Sequence, residues 1–251
     1  MKFDELDKMM REYERSLDQN IMKDVYMVAR LDGRSFTRLT KKLCDFEAPF
    51  DIKFRDIMVN TVKELMTCGF NVVYGFTESD EISLLFRLDE NTYGRNVRKY
   101  NSILAGVASA AFSMQLGQPG IFDCRMVPLP NIERVQDYFS WRQEDAKRNS
   151  LNAYCYWTLR KNGASEQEAT KAIEGKSVPY KKQLLNENGI SFNRDVPAWQ
   201  KNGMGIFWKD VEKEGYCPLT REKVVTTRRV LDVEYALPLR EAYREFVTQK
   251  L

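Results

Sequence analysis

There is no histidine among the 251 residues of this chain. That absence removes histidine-based triads, imidazole general bases and histidine metal ligands together. The five cysteines, Cys44, Cys68, Cys124, Cys155 and Cys217, are odd in number, scattered, and never spaced Cys-x-x-Cys. This pattern argues against both a disulfide framework and a structural zinc site, and the thiols are expected to act as small buried hydrophobes. No apolar run approaches the ~20 residues of a bilayer crossing, so no membrane partner is expected. Met1 to Arg15 alternates charged and apolar residues without a hydrophobic centre. It reads as an amphipathic helix rather than a signal peptide, and the expected location is cytoplasmic. Excess charge is also scarce. Thirty-nine basic and 36 acidic residues leave a net +3, too little to establish nucleic-acid binding from the whole chain.

What remains is narrower. Any metal must be held by oxygen, which favours hard ions such as Mg²⁺. Phosphoryl or nucleotidyl transfer needs only oxygen ligands and cationic clamps, and leads the chemistries still open. With 43% hydrophobic and 30% charged residues, the chain has the make-up of a globular protein with a real core.

Hydrophobic periodicity orders the first half. Val25 to Leu31 is a β-type run ending at Asp32-Gly33, and Phe50 to Cys68 carries apolar positions at helical spacing before Gly69. Asn71–Phe76 and Glu81–Phe86 are strand-like and flank Thr77-Glu78-Ser79-Asp80, a hairpin pattern. Arg95 to Leu116 predicts a second helix and Ile121 to Val127 a fourth strand. Strand, helix, strand, strand, helix, strand is the ferredoxin-like order. Residues 131 to 160 then predict a long charged helix, with shorter helices near 166–173 and 179–187. Met204–Val211 and Val224–Val233 predict a strand pair joined by a loop holding Gly215 and Pro218. The expected fold class is α+β. Residues 1–130 are expected to form the ferredoxin-like unit with an N-terminal helix, and 131–251 a helical lobe packed on it and carrying the strand pair.

In such a sheet the end of the first strand and the hairpin can be neighbours. Asp32, Asp80 and Glu81 would then meet at one edge, where carboxylates can hold Mg²⁺ between a triphosphate and a hydroxyl nucleophile. Gly33 would let a backbone group join them. The same strings also suit solvated turns, since Asp-Gly and Ser-Asp-Glu are common turn sequences.

Arg30-Leu31-Asp32-Gly33-Arg34-Ser35-Phe36, Glu78-Ser79-Asp80-Glu81-Ile82-Ser83 and Phe139-Ser140-Trp141-Arg142-Gln143-Glu144-Asp145 occur in that order. In this the chain resembles the tRNA(His) guanylyltransferase superfamily of 3′-to-5′ RNA polymerases. The resemblance runs from the first strand to Asp145, with a looser fit at 204–209. It implies a palm like that of polymerases and nucleotide cyclases. It also implies two Mg²⁺ ions held by Asp32, the Gly33 carbonyl and Asp80, with Glu81 a further catalytic carboxylate. Gly33, Arg34, Ser35, Phe36, Thr37 and Ser79 would line the nucleotide with Asp32 and Asp80. Lys99, Arg95 and Arg98 would contact phosphates, although a solvated helix face is the competing reading for each.

One departure bears on substrate. Where the guanylyltransferases proper carry His-Ile-Asn-Asn-Leu-Tyr-Asn, this chain reads Lys147-Arg148-Asn149-Ser150-Leu151-Asn152-Ala153. That is the pattern of the bacterial and archaeal-type "like" branch. The resemblance therefore implies template-dependent addition of nucleotides to the 5′ end of truncated tRNA by a homotetramer. ATP would activate the end, and GTP or another NTP would supply the nucleotide. Untemplated addition of G to histidine tRNA, a forward polymerase or cyclase, and a non-catalytic RNA-binding protein are the alternatives. In the lobe, aromatics interleave with Arg142, Lys147, Arg148 and Arg160, the expected RNA contacts, while most of the aromatics are expected in the core. Arg228-Arg229 is a second basic candidate.

Overall fold

A computed structural model describes residues 2–44, 46–216 and 223–251. In chain order the elements are α1 (Phe3–Arg15), β1 (Tyr26–Gly33), α2 (Phe36–Arg38) running into a π-helical turn (Leu39–Leu43), and α3 (Ile52–Thr67). Next come β2 (Val72–Glu78), β3 (Glu81–Phe86), a 3-10 turn (Thr92–Arg95), α4 (Val97–Leu116) and β4 (Phe122–Leu129). The second half holds α5 (Ile132–Lys161), α6 (Glu166–Ile173), α7 (Val178–Glu187), α8 (Phe192–Asp195) and α9 (Ala198–Asn202). It closes with β5 (Met204–Tyr216), β6 (Lys223–Glu234) and α10 (Glu241–Thr248). Cys217 and Pro218 lie outside the described residues.

Local chemistry sets several of these boundaries. Asp51 caps α3 by accepting the Phe54 amide at 2.9 Å. Asn96 accepts the Lys99 amide at 3.1 Å and Asn131 the Arg134 amide at 3.0 Å, so α4 and α5 each start on an asparagine cap. Gly117, at φ +77°, ends α4.

The six strands form one antiparallel sheet in the order β4-β1-β3-β2-β5-β6. Its first four strands have the ferredoxin-like order that the periodicity predicts. The C-terminal strand pair extends this palm sheet: β5 pairs with β2 from Tyr74↔Phe207 to Thr77↔Met204. Gly205 makes that join possible, because a Cβ there would stand 2.9 Å from both the Tyr74 hydroxyl and the Leu237 side chain.

Alternation along the strands sends side chains to two cores. Met27, Ala29 and Leu31 of β1 pack with Ile82, Leu84 and Phe86 of β3 under α3 and α4. Val28 and Leu85 face the other way, against Tyr138 and Phe139 of α5 and Tyr243 and Val247 of α10. Each such side chain contributes roughly 1.5–3 kcal/mol by leaving water. A third, smaller core joins Leu151 and Cys155 of α5 to Leu185 and Phe192. The 30 residues of α5 span roughly 45 Å, so one helix crosses the sheet and continues into the lobe.

The cysteines are less buried than the sequence predicts. Cys44, Cys68 and Cys124 are partly exposed and only Cys155 is fully buried; these four are free thiols. Among the described residues, no helix is long and apolar enough to cross a membrane.

Candidate active site

Strand register assembles the acids. Asp32 of β1 pairs with Glu81 of β3, Glu81 pairs with Glu78 of β2, and Asp32 pairs on its other side with Asp123 of β4. Register partners point to the same face of a sheet, so four carboxylates line up across four strands on the side facing α5. Like charges placed this way repel, and arginines offset them. Arg30 reaches Glu81 at 2.5 Å and Asp32 at 3.5 Å. Arg142 of α5 donates to both oxygens of Glu81, at 2.9 and 2.7 Å, and lies 3.2 Å from Asp145. Arg125 pairs with Asp123 at 3.3 Å.

Asp80 joins the row through a tight turn. Thr77 and Glu78, which the sequence places in the hairpin connection, belong to β2, so Ser79 and Asp80 alone make the reversal. Ser79 takes a left-handed φ of 49°. The Gly33 amide donates to the Asp80 carbonyl at 3.1 Å and locks the turn against the end of β1. Burial, with the charge of Asp32 adding to it, pushes the Asp80 carboxyl up to about 6. Glu78 rises to about 8 through burial and the charge of Glu81, although Asn149 donates to it at 3.2 Å.

Two cavities open beside these acids. The larger, about 520 Å³, is bounded by Thr37, Thr40, Ser79, Asp80, Asn152 and Tyr156, among others. The smaller, about 120 Å³, is lined by Phe50, Asp51, Arg55, Ser79 and Trp199, among others. The chain after β1 reverses at Ser35, whose φ of 61° swings Phe36 back over the sheet end. Gly33 is required by that reversal: a Cβ there would stand 2.5 Å from the Phe36 ring. Phe36 is itself core, stacked among Phe54, Phe112 and Phe122, with one edge on the larger cavity.

The all-oxygen set suits a hard divalent ion. Asp32 is partly exposed, burial and then the charge of Asp32 raise the pKa of the Asp80 carboxyl, and the Gly33 and Asp80 backbones are adjacent. Among the described residues, no three His, Cys, Asp or Glu side chains make a ready cage.

The sequence matches the family described as tRNAHis guanylyltransferase over residues 7–130, and the Thg1 C terminal domain over 133–235. The chain belongs to the tRNA(His) guanylyltransferase family. It is therefore a nucleotidyltransferase by family membership. It is 32% identical to a probable tRNA(His) guanylyltransferase of Dictyostelium discoideum over 80% of this chain and 83% of that protein. The tRNA(His) guanylyltransferase of Debaryomyces hansenii is 29% identical over 82% and 81%. A bacterial tRNA(His) guanylyltransferase (Thg1)-like protein solved in complex with ATP superposes with a TM-score of 0.77 at 25% identity, covering 98% of each chain.

Within this family member, not every expected site residue reaches the acids. Asp32, Gly33, Thr37, Ser79 and Asp80 gather at the sheet end. Arg95, expected on a phosphate, is instead buried, donating to the Val25 carbonyl and to Met27 at the opposite end of β1. Arg98 pairs with Asp18 at 2.9 Å, and the Lys99 ammonium lies 5.9 Å from the Tyr93 ring. Thirteen helical residues, roughly 20 Å, separate Lys99 from Phe112, which packs on Phe36. Arg34 is exposed, and its amide donates to the Ile121 carbonyl at 2.7 Å.

Glu81, expected as a catalytic carboxylate, is 6% exposed and committed to two guanidinium groups. Arg142, expected on RNA, is 2% exposed and gives its two terminal nitrogens to Glu81 and Asp145, while its buried Nε has no partner among the described residues. Arg148 also pairs with Asp145, and Arg160 donates to the Ala164 carbonyl at 2.7 Å. Lys147 has a different setting. Lys201 of α9 and Lys182 of α7 both donate to Asn193, at 2.8 and 3.4 Å, and burial followed by the charges of Lys147 and Lys182 lowers the pKa of Lys201. No sequence spacing joins positions 147, 182 and 201; only the fold does.

Proposed function

We propose that this protein adds nucleotides to the 5′ end of tRNA in the 3′-to-5′ direction. The supporting observation is the Gly33–Asp80 backbone hydrogen bond, which holds Asp32 and Asp80 together beside the larger cavity. The cavity takes the nucleoside triphosphate. ATP would activate the 5′-monophosphate by adenylylation with release of pyrophosphate, and the 3′-hydroxyl of an incoming GTP or other NTP would attack the activated phosphorus with release of AMP. Asp32, Asp80 and the Gly33 carbonyl would hold Mg²⁺, which when bound would lower the pKa of the attacking hydroxyl and neutralise charge on the leaving group, pyrophosphate in activation and AMP in transfer. Ser79 orients Asp80 through a 3.1 Å hydrogen bond. Glu81 serves the site indirectly, tying β3 to α5. Lys147, Lys182 and Lys201 offer a cationic surface for phosphates.

Residues 1–130 carry catalysis in this reading, and 131–251 hold the tRNA and support assembly into a tetramer. Helix α1 offers an apolar face for that assembly, with Phe3, Met10 and Tyr13 exposed and no residue buried. Lys147 to Ala153 favours templated repair of truncated tRNA. The curated relatives, named for histidine tRNA, favour untemplated addition of G.

A tRNA lacking its first 5′ nucleotide, incubated with Mg²⁺ and triphosphates, separates the two. Extension that follows the opposing base supports repair, and addition of G whatever the opposing base supports the second reading. No 5′ extension of either monophosphorylated or triphosphorylated tRNA sinks both.

A further inference from the structure

Trp141 is 54% exposed although it sits in the middle of the helix that crosses the sheet. A large aromatic left open to water beside a charged site calls for a reason. Its position is tightly determined. The Arg142 guanidinium lies 3.6 Å from the ring centre, and Arg142 is itself locked to Glu81. Tyr138 meets the ring edge-on at 5.9 Å and is anchored to Ser83 through a 2.9 Å hydroxyl contact. Arg30 stands 5.9 Å from the ring centre, and 3.5 Å separates its nitrogen from the Asp32 carboxylate. The ring is thus held beside the acid row, in a fixed attitude and partly open.

Trp141 also stands on a particular flank. The two cavities are lined by the β2–β3 turn, the segment after β1, α3 and residues of the second half, and among the described residues neither includes one of β1 or β4. Trp141 lies over β1, where Arg30 and Arg125 are register partners on adjacent strands and so share its face of the sheet. Reactants in a two-substrate transfer must approach the acids from different sides. If the triphosphate fills the cavity, the flank with Trp141, Arg30 and Arg125 is left for the other reactant.

We propose that Trp141 is a stacking platform for a nucleobase at the 5′ end of the RNA, with Arg125 placed for the adjoining phosphate. Aromatic stacking tolerates any base, which suits an enzyme whose acceptor end changes after each addition. The proposal rests on the reading that the acceptor is an RNA 5′ end.

The test uses the full chain and a tRNA transcript lacking its first 5′ nucleotide. Trp141→Ala should raise the KM for tRNA on the order of ten-fold with the KM for GTP unchanged, and Trp141→Phe should recover most of the loss. The protein has 4 tryptophans, so quenching that depends on Trp141 is read as wild type minus Trp141→Phe. That difference should appear on adding tRNA and not on adding GTP or ATP alone. A wild-type KM for tRNA in a folded Trp141→Ala protein overturns the proposal. So does equal quenching by tRNA in wild type and Trp141→Phe, a measurement that stands even if the alanine variant does not fold. A Trp141-dependent signal from triphosphate alone assigns the ring to the incoming nucleotide and also overturns it. Quenching of Trp141 by tRNA without any 5′ addition supports the platform while rejecting the proposed reaction.

Discussion

Asp32 and Glu81 are register partners on adjacent antiparallel strands, yet they are placed for opposite work. Asp32 is partly exposed at the mouth of the site, whereas Glu81 is buried between Arg30 and Arg142. One carboxylate is available to an ion and the other is spent on holding the fold.

Substituting Asp32 or Asp80 by Asn should lower nucleotide addition by a hundred-fold or more, on the order of what loss of a metal ligand costs. Stability should not fall, because each change removes a charge from a repelling row. Incorporation of labelled nucleotide together with a thermal melt checks both halves. A variant that melts early would point to a structural role instead.

The Glu81–Arg142 pair should behave as a buried ion pair. Arg142→Met alone is expected to cost about 3 kcal/mol, since it strands part of a buried carboxylate. The double variant with Glu81→Gln should cost clearly less than the two single losses added together. A thermodynamic cycle from urea unfolding measures the difference, and strict additivity would contradict the coupling.

Glu90 should make stability depend on acid. It is 1% exposed and accepts from the Asn71 and Thr92 amides, each at 2.7 Å, and from the Tyr100 hydroxyl at 2.9 Å. Burial by itself would raise its pKa, but the hydrogen bonds outweigh it and hold the carboxyl below its ordinary value. A depressed folded pKa means that the stabilisation is complete above the unfolded value, ~4.5. It drains away as pH falls through the lower folded value. Glu90→Gln should therefore lower Tm near neutrality, with a gap to wild type that narrows below about pH 4. A gap of constant size across that range would refute the assignment.

Tyr74 and Tyr243 share a fully buried hydroxyl contact of 3.1 Å that ties α10 to the palm. Tyr243→Phe should cost about 1–2 kcal/mol by leaving the Tyr74 hydroxyl without a partner. Replacing both by Phe should restore most of that loss, measurable as the midpoint of chemical unfolding. A double variant weaker than the single one would mean that the contact is not the cause.

Elements with a strong period were legible in the sequence. Glu81–Phe86 and Glu166–Ile173 have the predicted bounds, and the helix predicted from Phe50 to Cys68 spans Ile52–Thr67. Short segments without a period were not. The turns after Ser35 and helices α8 and α9 carry too few residues to display one, whereas α10, as long as α6, was missed although its period was there to read.

The sequence by itself determined the class of chemistry, through the missing histidine and the ordered strings around Asp32, Asp80 and Trp141. It also determined the two strands and the hairpin that bring Asp32 to Asp80, because alternation and turn residues are local properties. Tertiary structure alone decided which charges are free. Whether an arginine meets a phosphate or a buried carboxylate depends on what a distant element places opposite it. Arg142 finds Glu81 and Arg95 finds the Val25 carbonyl, whereas Lys147 finds two further lysines.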